Sequence, residues 1–189
     1  DLHLSRGLGD VYKRQDYDSD PQKIVYANLD GYAVTHGATL NLRGLFPNGI
    51  QFNAGATWID AFAKENEKKE RPYFTEKLTG TYQLSYTLAN TRGTFDISGN
   101  VISPMRLPLL GDEDSRDPNS PWIHILNMQY THNWGALEVF GGLKNILDFT
   151  PPANSIAAAE NPFSDDFDPT YVYASNQRTR VFLAMRWQL

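Results

Sequence analysis

Tyr73-Phe74-Thr75-Glu76-Lys77-Leu78-Thr79-Gly80-Thr81-Tyr82-Gln83-Leu84-Ser85-Tyr86-Thr87-Leu88 alternates almost without a break. Phe74, Leu78, Tyr82, Leu84, Tyr86 and Leu88 share one parity, and Thr75, Lys77, Thr79, Thr81, Gln83, Ser85 and Thr87 share the other. Successive side chains of a strand point to opposite sides, so this spacing predicts a strand with one apolar and one polar face. Seven polar residues in register make the second face wet along its whole length.

The neighbouring segments repeat the scheme. Lys23 to Phe46 places Val34, Ala38, Leu40, Leu42 and Phe46 opposite Thr35, Thr39, Asn41 and Arg43, with a kink expected around Asn28 to Gly31. Ile50 to Phe62 follows a Pro47-Asn48-Gly49 turn, since proline presets its dihedral and Asn-Gly tolerates positive φ. Thr94 to Ser103, Trp122 to Trp134, Leu137 to Ile146 and a last run from Tyr171 or later to Leu189 complete about seven strands, with no convincing helix. His124 and His132 interrupt the apolar parity of the run from Trp122. Either they lie at an interface or a bulge rotates them inward.

The connections alternate in length: short at 47–49, 89–93 and 134–135, long at 64–72, 104–121 and 148–170. Tight turns at one end and long loops at the other are the signature of a transmembrane barrel. The polar face would then line a wet lumen and the apolar face would meet lipid, with Trp58, Trp122, Tyr130, Trp134 and Trp187 as interface aromatics. With short turns on the periplasmic side, both the first and the seventh strand run downward. The expected fold is all-β, an antiparallel transmembrane β-barrel segment that forms an open curved sheet in isolation. Its two unpaired edges and apolar face predict aggregation in plain water.

Composition narrows the function. With 17 basic and 22 acidic residues the net charge is −5, which argues against a nucleic-acid binder. There is no cysteine, hence no thiolate metal site and no thiol nucleophile. A mean hydropathy of −0.47 excludes no barrel, because alternating strands give only a weak hydropathy signal. No HExxH, GxSxG or P-loop occurs and the four histidines are scattered, so the expectation is a protein that is not an enzyme and needs no cofactor.

Gly141-Gly142-Leu143-Lys144-Asn145-Ile146-Leu147-Asp148-Phe149-Thr150-Pro151-Pro152 breaks from a strand into a long loop. Asp168-Pro169-Thr170-Tyr171-Val172-Tyr173-Ala174 and a terminal strand ending Met185-Arg186-Trp187-Gln188-Leu189 follow it. This order resembles the C-terminal end of TonB-dependent outer-membrane receptors. Asn28 to Thr35 and Ser103 to Gly111 are similar to the Bacteroidetes branch of that family.

The resemblance implies that residues 16–189 supply about seven strands of a probable 22-stranded barrel in the bacterial outer membrane, contacting outer-membrane lipid and lipopolysaccharide. It also implies a plug and further barrel strands outside this chain, coupling to the TonB complex through that plug, and recognition of the C-terminal strand by the barrel assembly machinery. The cargo would be a siderophore, cobalamin, a glycan or a similar large nutrient. A small structural outer-membrane barrel and a soluble β-sandwich binding module are the alternatives.

Ser5 to Gln15 resembles the translation of a transposon adapter from sequencing libraries, so residues 1–15 are expected to be disordered and foreign to the natural protein. In the loops, Asp112, Glu113, Asp114, Asp165, Asp166 and Asp168 are weak ligand candidates. The last three have the oxygen chemistry that Ca²⁺ prefers, but a solvated loop is the commoner role and no metal is assigned.

Overall fold

The computed structural model describes residues 11–16, 20–28, 31–65, 67–89, 91–109, 114–152, 155–164 and 166–188, with side chains from residue 31 onward except that of Glu65. The strands are β1 (Val11–Asp16), β2 (Asp20–Asn28), β3 (Gly31–Leu45), β4 (Ile50–Glu65), β5 (Lys68–Glu70), β6 (Leu78–Leu88), β7 (Gly93–Ile102), β8 (Ile123–Trp134), β9 (Leu137–Lys144) and β10 (Arg180–Trp187). Strands β1 and β2 form a separate antiparallel pair. The other eight make one open antiparallel sheet in the order β10-β9-β8-β7-β6-β4-β3, with β5 turning back onto β4.

Residues that face one another across a ladder point to the same side, so the register tests the alternation directly. One row runs Gly44, Phe52, Leu84, Ile97, Met128, Leu143, Val181 across all seven strands of the main path. The next row toward the long loops runs Arg43, Asn53, Gln83, Ser98, Asn127. One face is therefore apolar over the full width and the other polar from β3 to β8, as the strand pattern predicted, while on β9 and β10 that second face mixes Glu138, Lys144, Arg180 and Arg186 with Phe140, Phe182 and Ala184.

The apolar face is uncovered, with Val181 and Leu183 each 80% exposed at the β10 edge. The buried apolar residues lie elsewhere: Met105, Leu107 and Tyr171 in the long connections, Ile123 at the start of β8, and Ala61 and Ala63 near the far end of β4. What core there is sits at the long-loop end, and the sheet itself is a wall.

Several expectations are corrected. Residues 1–15 were expected to be disordered, but Val11–Asp16 forms β1 and pairs with β2; residues 1–10 lie outside the described ones. The run from Lys23 divides near the expected kink, with Asn28 ending β2 and Gly31 opening β3. The charged run after Phe62 is a hairpin in which Lys64 opposes Lys69 and Glu65 opposes Lys68. The strand expected from Tyr73 begins at Leu78, because Phe74 turns at φ 56° and the amides of Lys77 and Leu78 are held by Ser103 Oγ at 3.0 and 2.9 Å. The last strand, expected from Tyr171 or later, begins at Arg180, and Tyr171 is buried in the loop layer.

The two histidines stay on the apolar face, since the β7/β8 register runs unshifted from Gly93↔His132 to Ile102↔Ile123. Both stand near strand ends and both meet a tyrosine hydroxyl: His124 Nε2 lies 2.7 Å from Tyr82 and His132 Nδ1 lies 3.0 Å from Tyr130. Tyr82 reaches His124 by lying across Gly99, where an added Cβ would meet the tyrosine hydroxyl at 2.5 Å. A polar group on a lipid-type face is tolerable when its hydrogen bond is made within that face.

Candidate functional site

The long connections meet at one end of the sheet. Phe74 N–H donates to Arg106 O at 2.9 Å, which ties the turn before β6 to the loop after β7. The Arg106 guanidinium stacks on the Tyr73 ring at 4.6 Å and donates to Glu70 Oε2 at 3.3 Å and to Arg71 O at 3.2 Å. Leu107 and Ser120 close a loop ladder with Pro118 O and Met105 O, each at 2.9 Å. These bonds satisfy loop backbone that would otherwise be buried without partners.

Arg116 joins this loop to the one after β9. Its Nη2 donates to Asp114 Oδ2 at 2.6 Å and to Asp168 Oδ2 at 2.9 Å, and its plane lies 4.3 Å from the Tyr171 ring centre. The side chains are 9% exposed for Arg116, 6% for Asp114 and 1% for Asp168. Thr170 closes the far side of Asp168 through both its amide, at 2.8 Å, and its hydroxyl. Burial opposes the guanidinium charge, but the hydrogen bonds and charges of Asp114 and Asp168 outweigh it and hold Arg116 above its ordinary pKa. Burial, with Tyr171 and Asp117 nearby, pushes the Tyr173 hydroxyl up to about 12, so it stays neutral.

The end of β9 is a second fastening. Asn145 takes φ 53°, a left-handed conformation that asparagine tolerates better than most residues, and so stops the strand. Its buried amide donates to Phe149 O at 2.8 Å and to Gln177 O at 3.0 Å, and it accepts from the Phe149 amide at 3.0 Å. Three residues on, Asp148 receives Arg178 Nη2 at 2.6 Å and the Thr179 amide at 3.0 Å. The entry to β10 is thus pinned to the exit of β9.

The Thr179 amide, then Arg178, lowers the pKa of the Asp148 carboxyl. A depressed carboxylate adds stability that is complete above its ordinary value of about 3.9 and is lost as pH falls through the lower folded value. The Thr179 amide resonance of the chain in detergent micelles is therefore expected to hold steady from pH 7 to about 5 and to move below about pH 4. Asp148→Asn should remove that step; a step unchanged in the variant would assign it to another group.

The polar face carries two shallow hollows of about 420 and 470 Å³. One is lined by Asn41, Arg43, Asn53, Thr81 and Gln83, and the other by Gln83, Asp96, Asn127, Gln129, Lys144 and Phe182. Arg186 pairs with Glu138 at 3.3 Å on the same face, and Lys144 Nζ lies 5.2 Å from the Phe182 ring centre. Side-chain amides and hydroxyls alternate with apolar groups such as Leu42, Ala54, Met128 and Phe182 in these hollows, and on the same face Ser85 Oγ donates to Asp96 Oδ1 at 2.5 Å.

Of the acidic candidates, Asp112, Glu113 and Asp165 lie outside the described residues. Asp166 is exposed, with its amide donating to Ser164 Oγ at 3.2 Å. Asp114 and Asp168 are brought together, but by Arg116 and inside the loop layer. No group of three or more His, Cys, Asp or Glu side chains among the described residues could hold a metal ion. Sequence reasoning missed Arg106 and Arg116 as the hubs of this layer, since nothing in their local pattern distinguishes them from solvated loop arginines.

The aromatic candidates fall into two levels. Trp58 pairs with Leu78 toward the long loops, and Trp122 precedes β8 at that end; Tyr130, Trp134 and Trp187 stand toward the tight turns. From Leu78 to Tyr86 along β6 is about 26 Å at ~3.3 Å per residue, or roughly 20 Å of height at a barrel tilt.

No family model matches this chain, and no curated protein matches it. Among solved structures, a chain of "Structure of the FpvAI-pyocin S2 complex" aligns at a TM-score of 0.63 and 13% identity, over 95% of this chain and 22% of that one. That neighbour, FpvAI, is a TonB-dependent receptor. At this identity the likeness establishes the fold, and this chain spans about a fifth of the neighbour's length.

Proposed function

We propose that this chain is part of the wall of a TonB-dependent outer-membrane receptor, whose whole protein takes up a large nutrient. The observation that carries the reading is the division of the seven-strand path into an uncovered apolar face and a polar face, with every long connection at one end. A soluble sandwich would cover its apolar face with a second sheet, whereas Leu40, Leu84, Val181 and Leu183 are left exposed on this one. The likeness to FpvAI supports the reading at the level of fold.

In this reading the polar hollows face the lumen and the plug, the Arg106 and Arg116 layer forms part of the external rim, and β10 is the strand offered to the assembly machinery. Coupling to the TonB complex belongs to the plug. The cargo in this reading is a siderophore, cobalamin, a glycan or a similar large nutrient. Of the acidic candidates among the described residues, the exposed Asp166 is the one open to cargo.

Flotation with phosphatidylcholine vesicles tests the reading. After refolding from urea the chain is expected to float with the vesicles and to precipitate when they are omitted. A monomeric, vesicle-free protein in plain buffer would overturn it and favour the soluble module.

A further inference from the structure

Beyond the aromatic level of Trp58, the lipid-type face of β3, β4 and β5 continues through Asp60, His36, Phe62, Val34, Tyr32, Lys64 and Lys69. Lys64 and Lys69 stand directly opposite each other in the β4/β5 ladder. Like charges in that position repel. Among the described residues neither lysine has an ion-pair partner: Asp60 faces His36 at 3.8 Å, and Glu70 faces Arg106 at 3.3 Å. Lys69 Nζ rests 3.7 Å from the Phe62 ring centre, and Tyr32 packs edge-on to Phe62 with half its surface open. The result is a cationic pair of which Lys69 is seated on an aromatic ring and Lys64 stands across the ladder from it.

Height gives the pair its meaning. From Ile50 at the tight-turn end to Lys64 is fourteen residues of unbroken β4. That is about 46 Å along the strand, and roughly 35 Å of height at the tilt of a membrane barrel. The apolar band of such a barrel is about 25 Å tall. Both ammonium groups therefore stand about 10 Å outside the hydrocarbon, on the side that faces lipid, where headgroup phosphates lie.

We propose that Lys64 and Lys69, with Phe62 under Lys69 and Tyr32 level with Lys64 in the ladder, form a docking surface for the phosphate of an anionic lipid headgroup in the surrounding membrane. This rests on the membrane-wall reading given above. A phosphate placed between the lysines turns a repulsive cross-strand pair into two charge-assisted contacts, while the rings provide an apolar seat for the upper acyl chain. Charge complementarity selects the occupant, since the two opposed ammonium groups call for an anion and, of the nearby carboxylates, Asp60 faces His36 and Glu70 faces Arg106.

The test is lipid-adduct retention by the full chain in zwitterionic detergent, read by native mass spectrometry with phosphatidylglycerol and phosphatidylcholine as probes. Wild-type chain is expected to retain phosphatidylglycerol in preference to phosphatidylcholine. The double variant K64Q/K69Q should lose roughly ten- to thirty-fold of that preference, on the scale of juxtamembrane lysines. K68Q, which alters the neighbouring lysine opposite Glu65 on the other parity, should keep it.

Equal retention by wild type and K64Q/K69Q, or an equal loss in K68Q, would overturn the proposal. Competition by millimolar inorganic phosphate would also overturn it, by assigning the pair to a soluble anion. Flotation of both proteins with phosphatidylcholine vesicles separates the two readings: vesicle binding without headgroup preference refutes this inference alone, and failure to bind refutes the membrane wall beneath it.

Discussion

Arg116→Ala is expected to release the loop after β7 from the loop after β9 while leaving the sheet paired. The substitution removes the partner of Asp168, which keeps only 1% of its side-chain surface and cannot recover hydration without opening the loop. Removing one member of a buried pair typically costs about 3–5 kcal/mol, most of it the penalty of the charge left behind. The same change removes the guanidinium from the Tyr171 face. Amide exchange at Ala157 and Asp168, whose backbones bond to each other at 3.0 and 3.2 Å, should speed up by two to three orders of magnitude, on the order of that cost. Exchange within β6 and β7 should not change. Arg116→Lys keeps a charge but not the fork that spans two carboxylates, so it should recover only part of the loss. If Arg116→Ala left exchange at Ala157 untouched, the ion-pair node would not be what joins these loops.

Asn145→Ala is the second large effect. Its carboxamide makes three hydrogen bonds, to Phe149 O, Gln177 O and the Phe149 amide, and the side chain is buried. Alanine leaves those groups unpaired and also strains a left-handed residue, so the loss is expected to be about 3 kcal/mol. Asn145→Gly separates the two causes, because glycine accepts φ 53° without strain but restores no hydrogen bond. It should therefore recover the smaller part. The readout is exchange at the Phe149 and Thr179 amides, with the Leu107 amide as an internal reference. Equal stability of the wild-type chain and Asn145→Ala would show that the turn holds without its amide.

The wall of this molecule was legible in its sequence because period two is a local signal. Phe52, Leu84, Ile97 and Met128 each sit between polar neighbours, and the register gathers them into one row with Leu143 and Val181. Loop order was legible for the same reason, since Pro, Asn and Gly mark the tight turns. The boundaries at the long-loop end were not. Tyr73 to Lys77 alternates like the strand it precedes, yet tertiary bonds from Ser103 and Arg106 bend it away.

Arg116, Asp168 and Tyr171 lie more than fifty residues apart in part and carry no periodicity, so only the folded loops bring them together. The acidic residues drew notice as ligand candidates through their charge alone. For Asp114 and Asp168 the structure supplies Arg116 as the partner. The Lys-Asn-x-x-Asp strand end was visible through resemblance, but its mechanism needed Gln177, Arg178 and Thr179, which meet it from thirty residues away.

The central claim is that one face of this sheet meets lipid and the other meets water. Because the chain contains no cysteine, single cysteines at Gln83, Leu84, Ser85 and Tyr86 can each carry a nitroxide in the chain reconstituted in phosphatidylcholine bilayers. Collisions with dissolved oxygen, which concentrates in lipid, should be frequent at 84 and 86. Collisions with a water-soluble nickel complex should be frequent at 83 and 85. An alternation of this sense along β6 is the expected result; uniform access to the nickel complex at all four positions would contradict the account.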